Sequence, residues 1–259
     1  MKYTSLYPDI LFHFTDKNGL YKILENNFRL SYSKEKIEGK TTNRELFVPM
    51  VSFCDLKLSQ LKVHMSKYGK YGIGLSKDWA NKNGLNPVMY VNKNCQFTDN
   101  FNNALNKIYP DLAKIRKHKY KHEHSSVPNQ YLDIIDAYRY MKNYEGNLER
   151  NGITYENFRF ADEREWRYVP PLRNKDIEYP FIASSNIRNK SEKLEFNRKI
   201  ENIKLYFNPN DIKYLIIEND SEINDLIEHI RNVKRFYAYD DIDRLSSRIL
   251  TSEQIENDI

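Results

Sequence analysis

The apolar positions of the chain fall into short runs separated by polar and turn-forming residues, and the spacing inside each run assigns most of the elements. Ile10-Leu11-Phe12-His13-Phe14 is rich in aromatic and branched side chains and predicts a buried strand over residues 10–15. Asp16 is placed to cap a helix through Gly19-Leu20-Tyr21-Lys22-Ile23-Leu24, whose apolar residues keep helical spacing. Residues 28–32 read as extended. Residues 47–53 form a second strand, with Pro49 arguing for an edge or a bulge because proline has no amide hydrogen to give a ladder. A helix opened by Asp55 or Ser59 runs to about residue 67. Further strands are expected over 71–75, 87–91, 165–169 and 212–217, with another near 203–207. Ser76-Lys77-Asp78-Trp79-Ala80 predicts a helical turn closed by Asn83-Gly84, and residues 221–233 a capped amphipathic helix.

Between these, residues 99–150 read as a mostly helical, tyrosine-rich insertion, broken near Ser125-Ser126-Val127-Pro128, and residues 241–259 as a short helical tail. No internal repeat or linker divides the chain, and the strands follow no regular βαβ beat. The expectation is a single α+β domain over residues 1–259.

Composition adds three constraints. No apolar run reaches the eighteen or so residues a spanning helix needs, and residues 1–8 contain no apolar core of a secretory signal. The two cysteines, Cys54 and Cys95, are too far apart for a C-x-x-C metal or redox pair, so reduced thiols and a cytoplasmic location without membrane contact are expected. The charge is uneven. Residues 107–124 hold five lysines and one arginine against Asp111 and Glu123, and so carry +4 of the net +5. Within them, Lys114, Arg116, Lys117, Lys119 and Lys121 surround Tyr120. Cations to meet phosphates and a ring to stack suit single-stranded nucleic acid, and a solvated helical face explains the pattern equally well. His118, His122 and His124 share this segment; with no fourth ligand or H-E-x-x-H pattern they belong to the basic patch, and no metal is expected.

Three segments hold the candidate chemistry. His13 and Thr15 end the first strand. Tyr68 and Tyr71 frame Tyr68-Gly69-Lys70-Tyr71-Gly72-Ile73-Gly74-Leu75, where three of the eight glycines fall together and mark a close approach of backbone to something else. Glu165 opens the strand Glu165-Trp166-Arg167-Tyr168-Val169, and Glu163 two residues earlier places both carboxylates on the same strand face. Each has a plainer reading: a structural histidine, packing tyrosines, a tight glycine hairpin, surface ion pairs.

The run Val48-Pro49-Met50-Val51-Ser52-Phe53-Cys54-Asp55, His64, the glycine segment, Asn86-Pro87-Val88 and Ile249-Leu250-Thr251-Ser252-Glu253-Gln254-Ile255 resemble the AbiGi family of abortive-infection phage-resistance proteins over nearly the whole chain. A more distant resemblance is to ADP-ribosyltransferases of the DarT kind, carried by His13-Phe14-Thr15, by Ile23-Leu24 and by Glu165 at the head of a late strand. That resemblance implies an ADP-ribosyltransferase-like split, mostly antiparallel sheet with surrounding helices. It implies NAD as substrate, with Glu165 and Glu163 as the catalytic pair. His13, Thr15, Tyr68, Tyr71, Gly72 and Arg44 would bind NAD, Arg44 and Lys57 being the positional candidates for the arginine that grips it.

The chemistry asks for such residues in its own right. Cleaving a nicotinamide–ribose bond develops positive charge on the ribose, as glycoside cleavage does, and a fixed carboxylate beside it lowers that barrier. The implied function is an effector of an anti-phage or toxin–antitoxin system that transfers ADP-ribose to RNA or single-stranded DNA, paired with a cognate antitoxin or toxin. The alternatives are a non-catalytic antitoxin or sensor of the same fold, and an NAD hydrolase.

Overall fold

The computed structural model describes residues 8–114, 129–150, 152–172, 174 and 176–258, with only the backbone of 112–114. The chain begins β1 (Ile10–Thr15), α1 (Lys17–Asn26), β2 (Phe28–Arg29), β3 (Ser31–Glu38), β4 (Asn43–Cys54), α2 (Leu61–Tyr68), β5 (Tyr71–Ser76) and α3 (Lys77–Lys82). It continues through β6 (Asn86–Pro87), β7 (Met89–Val91), α4 (Gln96–Lys114), α5 (Asn129–Arg139), β8 (Met141–Asn143), β9 (Gly146–Arg150), β10 (Ile153–Phe158) and β11 (Glu165–Tyr168). It ends with β12 (Ile182–Ala183), α6 (Lys190–Lys199), β13 (Lys204–Leu205), β14 (Ile212–Ile217), α7 (Ile223–Val233), α8 (Tyr239–Ser246), β15 (Ile249–Thr251) and α9 (Ser252–Asp258).

The fold is α+β, with a mixed, mostly antiparallel sheet in the order β15-β14-β5-β1-β4-β11-β6. β4 is the long strand that changes partners. It meets β3 from Asn43 to Met50, β12 at Leu46 and Phe47, and β11 from Val51 to Cys54. Pro49 falls between the β12 and β11 contacts, where β3 alone pairs, so its missing donor costs no ladder bond on that other side. The register of β1 against β4 consists of Phe12 opposite Cys54, whereas β1 pairs with β5 along its whole length. The two strands therefore splay apart.

Local chemistry sets the helix ends. Asp16 accepts a bond from the Gly19 amide at 2.7 Å and caps α1, as its position predicts, and the Ser76 hydroxyl caps α3 through the Trp79 amide. The main core lies between the sheet and α1, α3, α7 and α8, around Leu11, Leu20, Leu24, Ile73, Trp79, Leu215, Leu226 and Leu245. A second cluster packs α4 and α5 on the β3–β4 ribbon through Ile37, Leu46, Leu105, Ile135 and Tyr138.

Several expectations are corrected. The helical insertion ends at Arg139; residues 141–158 form three strands, two of them the hairpin β9–β10 with Gly152 in its turn at φ +78°. The tail is not wholly helical, because Ile249–Thr251 adds to the sheet in parallel with β14. The strand expected over 87–91 is two pieces, β6 on β11 and β7 parallel to β8. The glycines admit the protein's own atoms, not open space for a cofactor. A Cβ on Gly72 would meet the Phe14 ring at 2.9 Å and one on Gly74 the Phe12 ring at 2.8 Å.

Gly69 is the most constrained, at φ +113° with the Thr15 carbonyl oxygen 2.3 Å from any added Cβ. Gly84, at φ +70°, has nothing within 4 Å. Gly69→Ala should therefore cost on the order of 2 kcal/mol or more, since strained φ and a backbone clash add, while Gly84→Ala costs about 1 kcal/mol from φ alone. Urea unfolding of the two variants checks this, and equal losses would contradict it.

Candidate functional site

A cleft of about 750 Å³ opens where β1 and β4 splay apart. His13 sits at this split. Beyond Phe12 the strands no longer pair, and the His13 ring supplies the bridge instead, its Nδ1 lying 2.8 Å from the Ser52 carbonyl. A carbonyl can only accept, so Nδ1 carries the hydrogen and Nε2 is left as the ring's acceptor. Burial between Phe28 and Phe53 lowers the His13 pKa, only partly offset by the Ser52 bond, so the ring is neutral.

Glu165 is buried on the floor, at the head of β11. Its Oε1 accepts from the Ser52 hydroxyl at 2.8 Å and from Arg167 Nε at 2.6 Å, and its Oε2 meets Lys142 Nζ at 2.6 Å. Its amide donates to the Tyr90 hydroxyl. Burial alone would raise this carboxyl. Arg167 and Lys142 outweigh it and hold Glu165 ionised, well below the usual carboxylate range. Arg167, fully buried, also pairs with Glu35 of β3 at 2.9 Å and donates to the Arg139 and Met141 carbonyls. Burial pushes Glu35 up, against the pull of Arg167 and Lys142. Three carboxylates thus share two cations, leaving one formal negative charge in excess.

Glu163 joins this group by a route different from the one expected. It is not on the strand face; it ends a 3₁₀ turn over Phe160–Glu163, and Arg164 turns the chain at φ +45° before β11 begins. Its carboxylate accepts from the Tyr68 hydroxyl and lies 3.4 Å from Lys142.

His13, Tyr68, Glu163 and Glu165 therefore line one cleft. The other candidates lie elsewhere. Tyr71 does not face the cleft; its hydroxyl is 2.9 Å from Glu222, a partner on the α7 side. Gly72 is covered by Phe14, and Thr15 packs on Gly69. Arg44 stacks on Tyr109 at 4.0 Å and donates to Asn106, away from the cleft, and Lys57 is exposed outside it. Lys114 ends α4 with its side chain undescribed, and Arg116, Lys117, Lys119, Lys121 and the three nearby histidines lie outside the described residues.

Sequence reasoning missed Glu35 and Lys142 as parts of the site. Neither stands in a motif, and only the approach of β3 and β8 brings them in. Ser52 and His64 were visible only inside family-like segments. Among the described residues no helix is long and apolar enough to cross a membrane, and Cys54 and Cys95 are free thiols.

His64 stacks on Tyr68 with ring centroids 4.4 Å apart and meets Phe14 at its edge. Burial first, then Lys67 and Lys142, lowers its pKa to about 3. The unfolded chain takes up this proton below about pH 6.5 and the folded chain does not until about pH 3, so stability falls as pH falls through that window. His64→Phe keeps a ring but cannot protonate. It should lose less stability than the wild type between about pH 7 and about pH 4 in denaturant titrations; parallel losses would contradict the assignment.

Comparison with known proteins agrees with the family-like segments. The family model described as "Putative abortive phage resistance protein AbiGi, antitoxin" matches residues 23–218. A protein of Lactococcus lactis subsp. cremoris named "Abortive phage resistance protein AbiGi" is 27% identical over 249 residues, covering 90% of this chain and 96% of that protein. No solved structure gives a significant match.

Proposed function

The chain belongs to the AbiGi family of abortive-infection phage-resistance proteins, and we propose that within such a system it is an NAD-dependent ADP-ribosyltransferase acting on nucleic acid. The observation that carries this reading is the ionised Glu165, buried and fixed by Ser52, Arg167 and Lys142, facing a cleft that His13 enters from β1, on the other side of β4. A carboxylate that cannot reorient and cannot readily protonate is matched to a positive charge that develops on a ribose. In the proposed reaction the nicotinamide–ribose bond breaks and its electron pair leaves with nicotinamide. The acceptor atom bonds to the ribose carbon, and its proton passes to a base. Glu35, whose burial favours the protonated form, suits that last step. His13 Nε2 would accept from a ribose hydroxyl and Tyr68 would lie beside the ring to be expelled. RNA or single-stranded DNA is the acceptor favoured by the +4 segment at residues 107–124.

A second reading has its own support. The family description contains the word "antitoxin", and Phe236 and Tyr239 stand 88% and 86% exposed, as a binding surface for a partner would be. In that case the protein is a partner-binding antitoxin, and the ion network is structural.

Glu165→Gln separates the two. It preserves size and the bond to Ser52 but removes the charge, so labelling of nucleic acid from NAD should fall on the order of 10²-fold or more while NAD binding and cooperative unfolding persist. Expressed alone, the wild type should arrest growth and the variant should not. Wild-type protein that labels nothing and is harmless alone would decide for the antitoxin.

A further inference from the structure

The cleft is polarised. Its floor holds Glu35, Glu163 and Glu165, while its rim is basic. Arg150 at the end of β9, Lys193 on α6 and Lys22 on α1 reach the same cleft from three separate elements, with Glu149 the rim carboxylate. Among the described residues, none of these three cations makes an ion pair with a carboxylate, although most other cations around the cleft do: Lys34 pairs with Glu45, and Lys142 with Glu163 and Glu165. Arg150 is held by a ring instead, its guanidinium 4.6 Å from the centre of Tyr68. Stacking fixes the plane of the guanidinium and leaves its edge N–H groups free to bind an anion in bidentate fashion. Lys193 is partly buried. Burial, then the positive charge of Arg150, lowers its pKa. Two cations that repel each other at one cleft, neither ion-paired with a carboxylate among the described residues, are an arrangement that a bound anion relieves.

We propose that Arg150, Lys193 and Lys22 form a diphosphate subsite at the mouth of the cleft, which takes the pyrophosphate bridge of a dinucleotide whose reacting end points to the acidic floor. This deepens the ADP-ribosyltransferase reading and rests on it only for the identity of the dinucleotide. A ligand with an anionic middle and a cationic end has the same order of charges, in reverse, as the cleft from rim to floor. The subsite also explains how the cleft could hold NAD without Arg44, which is committed to Tyr109 and Asn106. Tyr68 joins the two halves, since its ring carries Arg150 and its hydroxyl donates to Glu163.

The test is calorimetric titration of the full chain with ADP-ribose, inorganic pyrophosphate, adenosine and a short single-stranded RNA. It is run on the wild type, Arg150→Ala, Arg150→Lys, Lys193→Ala and the Arg150→Ala/Lys193→Ala double variant, with thermal unfolding of each. The expected result is ADP-ribose binding that pyrophosphate displaces. Each single alanine variant of the rim weakens it tenfold or more with unchanged unfolding. Arg150→Lys, which keeps charge but loses the bidentate fork, should fall between the wild type and Arg150→Ala. The proposal is overturned if the double variant binds ADP-ribose as the wild type does, or if pyrophosphate does not compete. RNA binding lost in the rim variants without any ADP-ribose binding would equally overturn it, by making the rim a nucleic-acid contact. Rim-dependent ADP-ribose binding by a wild type that transfers nothing from NAD would keep the subsite and refute the transferase reading.

Discussion

Glu165 and Arg167 lie two residues apart on one strand, both almost without solvent contact, and each can stay charged there only while the surrounding elements keep it fully partnered. Arg167 spends its donors on Glu165, on Glu35 and on the carbonyls of Arg139 and Met141. Glu165 takes Ser52 and Lys142 in return. These contacts tie β3, β4, β8, β11 and the end of α5 to one point. Removing one partner from such a group costs about 3–5 kcal/mol, because the remaining charge is stranded away from water. The network is therefore a constraint on position as much as a source of charge.

The splay of β1 from β4 is the other half of the arrangement. A continuous β1–β4 ladder would close the cleft over Ser52. Instead the pairing is confined to Phe12 and Cys54, and the His13 ring takes over the carbonyl that a strand amide would otherwise serve. One side chain thus satisfies a backbone group, holds the gap open and presents a neutral acceptor to the cavity. The glycine segment serves the same geometry from behind. Gly72 and Gly74 let the rings of Phe14 and Phe12 pack directly against β5, and Gly69 lets the end of α2 close against Thr15, so that Tyr68 is delivered to the cleft.

These features give the cavity a gradient of charge that neither wall has alone. The floor comes from β3, β4, β8 and β11, and the rim from α1, α6 and the β9–β10 hairpin. Membership of an abortive-infection family supplies a setting of phage defence, and the cleft supplies the chemistry to be tested within it.

The residues that the sequence by itself determined are those whose reason is local. The Asp16 cap, the branched and aromatic run of β1, the strand opened by Glu165 and the amphipathic α7 follow from neighbours a few positions away, and the structure has each of them. His13 and Glu165 were legible as candidates because each is a side chain capable of acid–base chemistry placed near the end of a strand that its neighbours specify. The rest depended on partners distant along the chain. Lys142 meets Glu165 across 23 positions and Arg150 meets Tyr68 by way of a hairpin whose first strand lies inside the stretch that reads as helical. The parallel pairing of Ile249–Thr251 with β14 likewise has no local signature. Short polar strands such as β8 and β9 lack the apolar alternation that marks a half-buried strand, because their positions are set by pairing and by charge rather than by hydrophobic burial. Which cations face the cleft, which tyrosine turns away from it and which carboxylate is held ionised were decided only when the strands came together.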